Sequence, residues 1–254
     1  MPGSPFNPIL VGFSGQMKAI SAQKLEIAIE HSVSVSALLI RPTQANACLV
    51  FAHGAGAGMT HPFMEAVAAG LGERGVASLR YQLPYMEKRS RRPDPPAVAH
   101  AAVRAAVGEA GRRCSGLLLI AGGKSFGGRM TSQAQASTPL EGVHGLAFLG
   151  FPLHPAGKPS TDRAEHLSDI HIPMLFVQGT RDTLAELRLL EPVVNGLGPH
   201  ASLHRVDEAD HSFHVLARSG RNDREVMDEI LDAFAVWVGA VGAKKAPSHS
   251  GMVR

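Results

Sequence analysis

Five short apolar runs constrain the fold more than any other feature of the chain: ACLVFAH from Ala47, GVASLRY from Gly75, GLLLIAG from Gly116, GLAFLGF from Gly145 and PMLFVQG from Pro173. Each is too short for a buried helix and lacks the alternation of a half-solvated strand, so each reads as a strand covered on both faces, as in a parallel sheet. Helical patterns separate them. HPFMEAVAAGLGERG places Phe63, Val67 and Leu71 one turn apart, with Pro62 at the start and Gly75 as a stop. PPAVAHAAVRAAVGEAG begins after two prolines and is expected to end at Gly111, and TLAELRLLEPVVNG offers a capping box from Thr183 to Glu186. Near the end, Val226, Ile230, Phe234 and Trp237 form one apolar stripe. Strands alternating with helices predict βαβ crossovers and a doubly wound, mostly parallel α/β sheet. Upstream, KLEIAIEH and SVSVSALLI each alternate, with Leu25, Ile27 and Ile29 and then Val33, Val35 and Ala37 on one face, and predict an antiparallel hairpin at one sheet edge.

The 254 residues suit one domain, expected over 17–241, with loosely ordered termini at 1–16 and 242–254; Met17 is a candidate natural start. No apolar run approaches the roughly 18 residues a membrane span needs, and the first residues lack the pattern of a secretory signal, so a cytoplasmic protein without membrane contact is expected. The formal charge is +3, with basic residues gathered in EKRSRRP (from Glu87) and in the tail. These read as solvated segments, and without interleaved aromatic residues to stack bases they predict no nucleic-acid partner. Cys48 and Cys114 fall in or beside apolar runs and read as buried free thiols. No C-x-x-C or H-E-x-x-H spacing occurs, so neither a metal nor a cofactor is expected.

The run GGKSFGG, Gly122 to Gly128, admits two readings. A phosphate-binding loop, G-x-x-x-x-G-K-[ST], needs a glycine at position 118, where Leu118 stands inside a strand. The alternative, G-x-S-x-G over Gly123 to Gly127, follows a buried strand and precedes a helix, as a nucleophile elbow requires. In open α/β sheets, chemistry gathers at the carboxyl ends of strands. Past those ends lie His53-Gly54-Ala55-Gly56, Ser125, Asp182 and His211. The order Ser, Asp, His, with gaps of 57 positions (125 to 182) and 29 positions (182 to 211), suits a serine hydrolase site on such a sheet.

Each residue type has a reason. A serine hydroxyl needs a neighbouring imidazole to take its proton, and His211 would be that base. Asp182 would fix the histidine tautomer and stabilise the imidazolium. The backbone N–H groups of Phe126 and Ala55 would bind the oxyanion. Asp162 and Asp169 rival Asp182, and His204 and His214 rival His211, but none directly follows a strand end as the leading candidates do. His53 reads as a support for the glycine turn, Lys124 as a solvent-facing residue that could also attract an anion, and Arg129 as part of the helix start. His53, Gly54, Gly56, Tyr85, Phe151 and Pro152 are the expected substrate walls, with Met86, Leu153 and His154 beside them.

The segments HGAGAGMTHPFM, RYQLPYME, GGKSFGGRM and ADHSFH together resemble the KANL3/Tex30-type α/β-hydrolases, related to the dienelactone hydrolase-like group. The resemblance, over most of residues 49–215, implies the α/β-hydrolase fold and a site at Ser125, Asp182 and His211. Dienelactone hydrolases proper use a cysteine nucleophile where this chain has Ser125, so their substrate does not carry over. One branch resembles a chromatin-complex scaffold. About 21 residues, Pro152 to Ile172, separate the fourth and fifth apolar runs, too few for a large lid. The expected activity is therefore hydrolysis of small-molecule carboxylic esters or thioesters through an acyl-enzyme, with a non-catalytic binding module and a serine peptidase as alternatives.

Overall fold

The computed structural model describes residues 21–29 and 33–245; the expected start at Met17 lies outside them. Eight strands form one sheet in the order β1-β2-β4-β3-β5-β6-β7-β8. The hairpin is β1 (Gln23–Ala28) and β2 (Ser34–Ile40), antiparallel, with Leu25 opposite Ala37 and Ile27 opposite Val35. β2 also runs antiparallel to β4 (Val76–Tyr81). All later pairings, through β3 (Ala47–Ala52), β5 (Leu118–Lys124), β6 (Val143–Leu149), β7 (Met174–Gly179) and β8 (Ala201–Val206), are parallel. The five apolar runs account for β3 to β7, the strands that helices cover on both faces.

The helices are α1 (Pro62–Glu73), α2 (Pro84–Glu87), α3 (Pro96–Arg113), α4 (Phe126–Ser137), α5 (Leu187–Gly196) and α6 (Asp223–Lys245). One apolar core joins α3, α4 and α5 to one face of the sheet, around Val50, Ala121, Phe148 and Phe176. A second joins α1 and α6 to the other face, around Phe51, Ile120, Leu149 and Val177. The stripe on α6 buries Val226, Ile230 and Phe234 and lays Trp237 over the bare backbone of Gly145, where a Cβ would meet its ring at 2.8 Å. Cys48 and Cys114 are buried free thiols.

Two helix boundaries differ from the sequence reading. α3 runs past Gly111 to Arg113, because Arg112 and Arg113 pair with Glu109 one turn back, at 2.6 and 2.5 Å, and hold the last turn together. The capping box at Thr183 does not form, and α5 starts at Leu187. The carboxylate of Asp182 accepts the Leu184 N–H at 2.7 Å, which makes a turn where the helix was expected to begin.

The β6–β7 connection carries one 3-10 segment, Asp162–Asp169, and no inserted lid. Chain direction across the sheet reverses around β3: β4 lies on one side of it and β5 on the other. The loops after β3 and β5 therefore face each other at a topological switch point. Among the described residues no helix is long and apolar enough to cross a membrane, and no group of His, Cys, Asp and Glu side chains is placed to hold a metal ion.

Candidate active site

Ser125 stands between β5 and α4 with φ 49° and ψ −116°, a left-handed-side backbone conformation that costs a non-glycine residue free energy and clusters at functional sites. Its flanking glycines are required by close approach. A Cβ at Gly123 would lie 2.6 Å from the Ala52 carbonyl and from the Gly128 nitrogen; one at Gly127 would lie 2.6 Å from the carbonyls of Ala52 and His53. Those contacts are backbone, which cannot swing aside. The turn is pinned by the Ser125 N–H, which donates to the Leu149 carbonyl at 3.2 Å, and by its carbonyl, which accepts from the Arg129 N–H at 3.1 Å.

The structure brings the three distant residues together. His211 Nε2 lies 2.8 Å from Ser125 Oγ, and His211 Nδ1 lies 2.6 Å from Asp182 Oδ2. The carboxylate can only accept when ionised, so Nδ1 carries the proton and Nε2 is free to accept from the serine hydroxyl. The Asp182 side chain is 0% exposed and that of His211 is 24% exposed, so the acid is sealed while the imidazole remains reachable. The rivals are engaged elsewhere: His204 pairs with Glu229 at 2.9 Å, His214 pairs with Asp223 at 2.9 Å, and Asp162 and Asp169 sit exposed at the ends of the 3-10 segment.

A cleft of about 380 Å³ opens beside Ser125, lined by Gly54, Ala55, Ala57, His61, Phe63, Met64, Leu184 and Ser212 along with Lys124 and His211. Ala55 is exposed on the turn after β3, and Phe126 is the first residue of α4, so its N–H has no partner within the helix. A larger cavity, about 690 Å³, opens at the other end of β5, between Gly116, Leu119 and the end of α3. The Ser125–His211 pair lies at the carboxyl end of that strand, so the smaller cleft is the one beside Ser125.

Several expected walls lie behind the cleft rather than in it. His53 is fully buried: Nδ1 donates to the Gly54 carbonyl at 2.8 Å, Nε2 accepts the Leu83 N–H at 3.1 Å, and burial lowers its pKa, so it is a neutral brace. Tyr85 is buried too, and its hydroxyl accepts the Gly56 N–H at 2.8 Å, which shapes the turn from below. Phe151 packs edge-on against Phe148 and Phe176, with centroids 5.3 and 5.7 Å away, and Pro152, Leu153 and His154 are buried beside it. Gly54 does line the cleft, whereas Gly56 does not. The expectation failed because an apolar residue after a strand end can continue the core as readily as it can face substrate.

Lys124 overturns another expectation. Its head turns inward rather than to solvent, and Nζ donates to the His211 carbonyl at 2.5 Å. Desolvation lowers its pKa to about 8, against the opposing pull of Asp182 and Asp210. Gln178 is a support that the sequence reading misses. It is fully buried; its Nε2 donates to Asp182 Oδ2 and its Oε1 accepts the Phe151 N–H at 2.9 Å. A single polar residue within PMLFVQG, four before Asp182, was the available signal.

A model of the alpha/beta hydrolase domain family matches residues 45–239. The chain belongs to that family. Solved structures similar to this alpha/beta hydrolase include a dienelactone hydrolase from Anabaena variabilis (TM-score 0.72, 19% identity, covering 88% of this chain and 99% of that one). An α/β serine hydrolase without a lid from Xanthomonas campestris matches with TM-score 0.63 and 17% identity, covering 95% and 99%. Est1E from Butyrivibrio proteoclasticus matches with TM-score 0.64 and 15% identity, covering 85% and 99%. At these identities the likeness is one of fold: the hydrolase sheet, its antiparallel start and the flanking helices.

Proposed function

We propose that this alpha/beta hydrolase cleaves small carboxylic esters or thioesters through an acyl-enzyme on Ser125. The observation that carries the reading is the hydrogen-bonded line from Asp182 to His211 to Ser125, at 2.6 and 2.8 Å, ending on a strained serine at the mouth of a cleft. His211 Nε2 takes the Ser125 proton as Oγ attacks the substrate carbonyl. Asp182 holds the ring through Nδ1 and stabilises the imidazolium that forms. The N–H groups of Phe126 and Ala55 receive the developing oxyanion; each such donor is worth about 3–4 kcal/mol of transition-state stabilisation. His211 then protonates the departing alcohol or thiol, and water releases the acid by the same path in reverse.

The cleft supports a small acyl group. Ala55, Ala57, Phe63, Met64 and Leu184 give it apolar walls, its volume is about 380 Å³, and among the described residues no carboxylate side chain lines it. The four motif segments also support placement in the KANL3/Tex30 branch, in a form that keeps the nucleophile, base and acid.

A fluorophosphonate probe and p-nitrophenyl acetate test the reading together. Stoichiometric labelling and turnover are expected, and both should vanish in Ser125→Ala, with at least a ~10⁴-fold loss of kcat/KM. Pure, folded protein that is neither labelled nor active would refute it and leave the binding module. Faster turnover of matched anilides than of esters would point to the peptidase.

A further inference from the structure

We propose that Lys124 is a positioning residue that ties the strand bearing Ser125 to the loop bearing His211 and so fixes the distance across which the proton moves. This deepens the esterase reading and rests on it.

Lys124 is the last residue of β5 and precedes Ser125 directly. Its stem passes the cleft beside Gly54, where a Cβ would lie 3.6 Å from the lysine Cγ. Its head reaches behind the His211 ring and grips the backbone carbonyl of that residue at 2.5 Å. His211 has no helix or strand of its own to hold it. It sits in the β8–α6 connection, which is tied to the loop after β7 by the Arg181 N–H on the Ala209 carbonyl and the Glu208 N–H on Thr180 Oγ1, both at 2.9 Å, and is otherwise braced close to His211 from within: Asp210 accepts the Ser212 and His214 N–H groups at 2.7 and 3.0 Å, and Ala209 bridges to Val215. The Lys124 tether therefore spans the gap between nucleophile and base by the shortest covalent route, one residue from Ser125.

The surroundings are cut to fit an ammonium. Gly150, with φ +70°, leaves the space that Nζ fills; a Cβ there would stand 2.8 Å from Nζ and 3.5 Å from the His211 ring. The stacked rings of Phe213 and Phe63 lie 5.1 and 5.8 Å from Nζ, from the base loop and from α1. Asp182 after β7 and Asp210 in the base loop supply the opposing charge, and His61 before α1 and His211 itself are the other titratable groups lining the cleft among the described residues. A methionine would fill the same channel without desolvating a charge. A lysine used only as filler is a poor choice at this place, whereas a charge-assisted bond to the carbonyl of the base residue is a good reason for one.

Positioning and filling predict opposite outcomes for Lys124→Met in the full chain. Under positioning, kcat for p-nitrophenyl acetate falls about tenfold to hundredfold with little change in KM, because small misplacements of a base are costly in rate. Fluorophosphonate labelling of Ser125 becomes slower and remains stoichiometric, and Lys124→Gln, which retains a donor, recovers part of the rate. The Tm at pH 7 is unchanged or higher, since a buried ammonium has been removed. That gain shrinks as pH rises from about 8 toward 10.5, the interval over which native Lys124 is neutral while the unfolded chain still carries its proton. Full kcat in Lys124→Met, or a lowered Tm with unchanged turnover per labelled serine, overturns the proposal and leaves the hydrolase reading intact. Failure of both variants to fold assigns Lys124 a purely structural role and also overturns it. A wild-type chain with neither labelling nor turnover sinks the two readings together.

Discussion

Replacing Gln178 by leucine tests how the acid of the site is held. Gln178 sits next to the end of β7 with no exposed surface, and it serves two partners. Its amide nitrogen donates to the same oxygen of Asp182 that His211 Nδ1 approaches, and its carbonyl oxygen accepts the Phe151 N–H at 2.9 Å. Leucine is of similar, slightly larger volume, so no sizeable cavity opens. What is lost is polar: the Phe151 N–H is left buried without an acceptor, and a carboxylate loses one of three donors, the others being His211 Nδ1 and the Leu184 N–H. An orphaned buried N–H costs about 1–3 kcal/mol and a bond to a charged group is worth about 1.5–3 kcal/mol. Because the two effects overlap, about 3 kcal/mol is expected, and at roughly 2–4 °C per kcal/mol for a domain of this size the Tm should fall by about 6–12 °C. Scanning calorimetry at pH 7 reads the first effect. The second is kinetic: with one donor fewer Asp182 gains freedom, so kcat/KM should fall about tenfold through kcat. A Tm within about 1 °C of the parent together with unchanged kcat/KM would refute the reasoning, since a buried, doubly bonded amide cannot be removed without effect.

Two other perturbations follow from the same coordinates. Gly127→Ala places a Cβ 2.6 Å from two backbone carbonyls, so α4 must move away from β3; about 1–3 kcal/mol of stability should be lost by chemical denaturation, with fluorophosphonate labelling reduced along with it. His214 is exposed, and its bond to Asp223 raises its pKa above the ordinary 6.5. The protonated form is therefore favoured on folding, and the contribution is full below 6.5 and lost as pH rises through the raised value. The Tm deficit of His214→Gln should accordingly be largest in acid and shrink above neutrality.

The sheet and the places of Ser125, Asp182 and His211 on it were legible because their causes are local. A continuous apolar run can satisfy its backbone only as a strand covered on both sides, and a polar residue just past such a run falls at the carboxyl end of the sheet. Ser125 and Asp182 could be read in that way, and so could the glycines of the elbow; His211 follows the edge strand β8, which is not such a run, and was legible from the chain order Ser, Asp, His. The supports were illegible because their causes are tertiary. Lys124 ends its strand, and only the approach of the base loop and of Phe63 decides whether its head meets water or a carbonyl. Tyr85 and Phe151 were expected as walls on chemical type, but the first props the Gly56 N–H and the second belongs to an aromatic cluster under β6 and β7. Their roles depend on neighbours distant in sequence, which periodicity does not encode.

The unfavourable features of the site are concentrated in five consecutive residues. Between Gly123 and Gly127 the chain holds two glycines wedged against backbone, a serine at positive φ and a lysine whose charge burial disfavours. Such a segment keeps its shape only if what surrounds it is far stiffer. The placement meets that need: β5 is paired on both sides, by β3 and β6, and its residues from Ile120 through Gly123 lie between the two apolar cores with no solvent-facing edge. The same residues could not adopt this conformation at the sheet edge, where β1 has only one partner. Relaxing the segment piecemeal should therefore trade stability against rate. A substitution that relieves a cost while leaving the sheet untouched, as expected of Lys124→Met, should keep or gain stability and lose turnover, whereas one that strikes the packing, as expected of Gly127→Ala, should lose both.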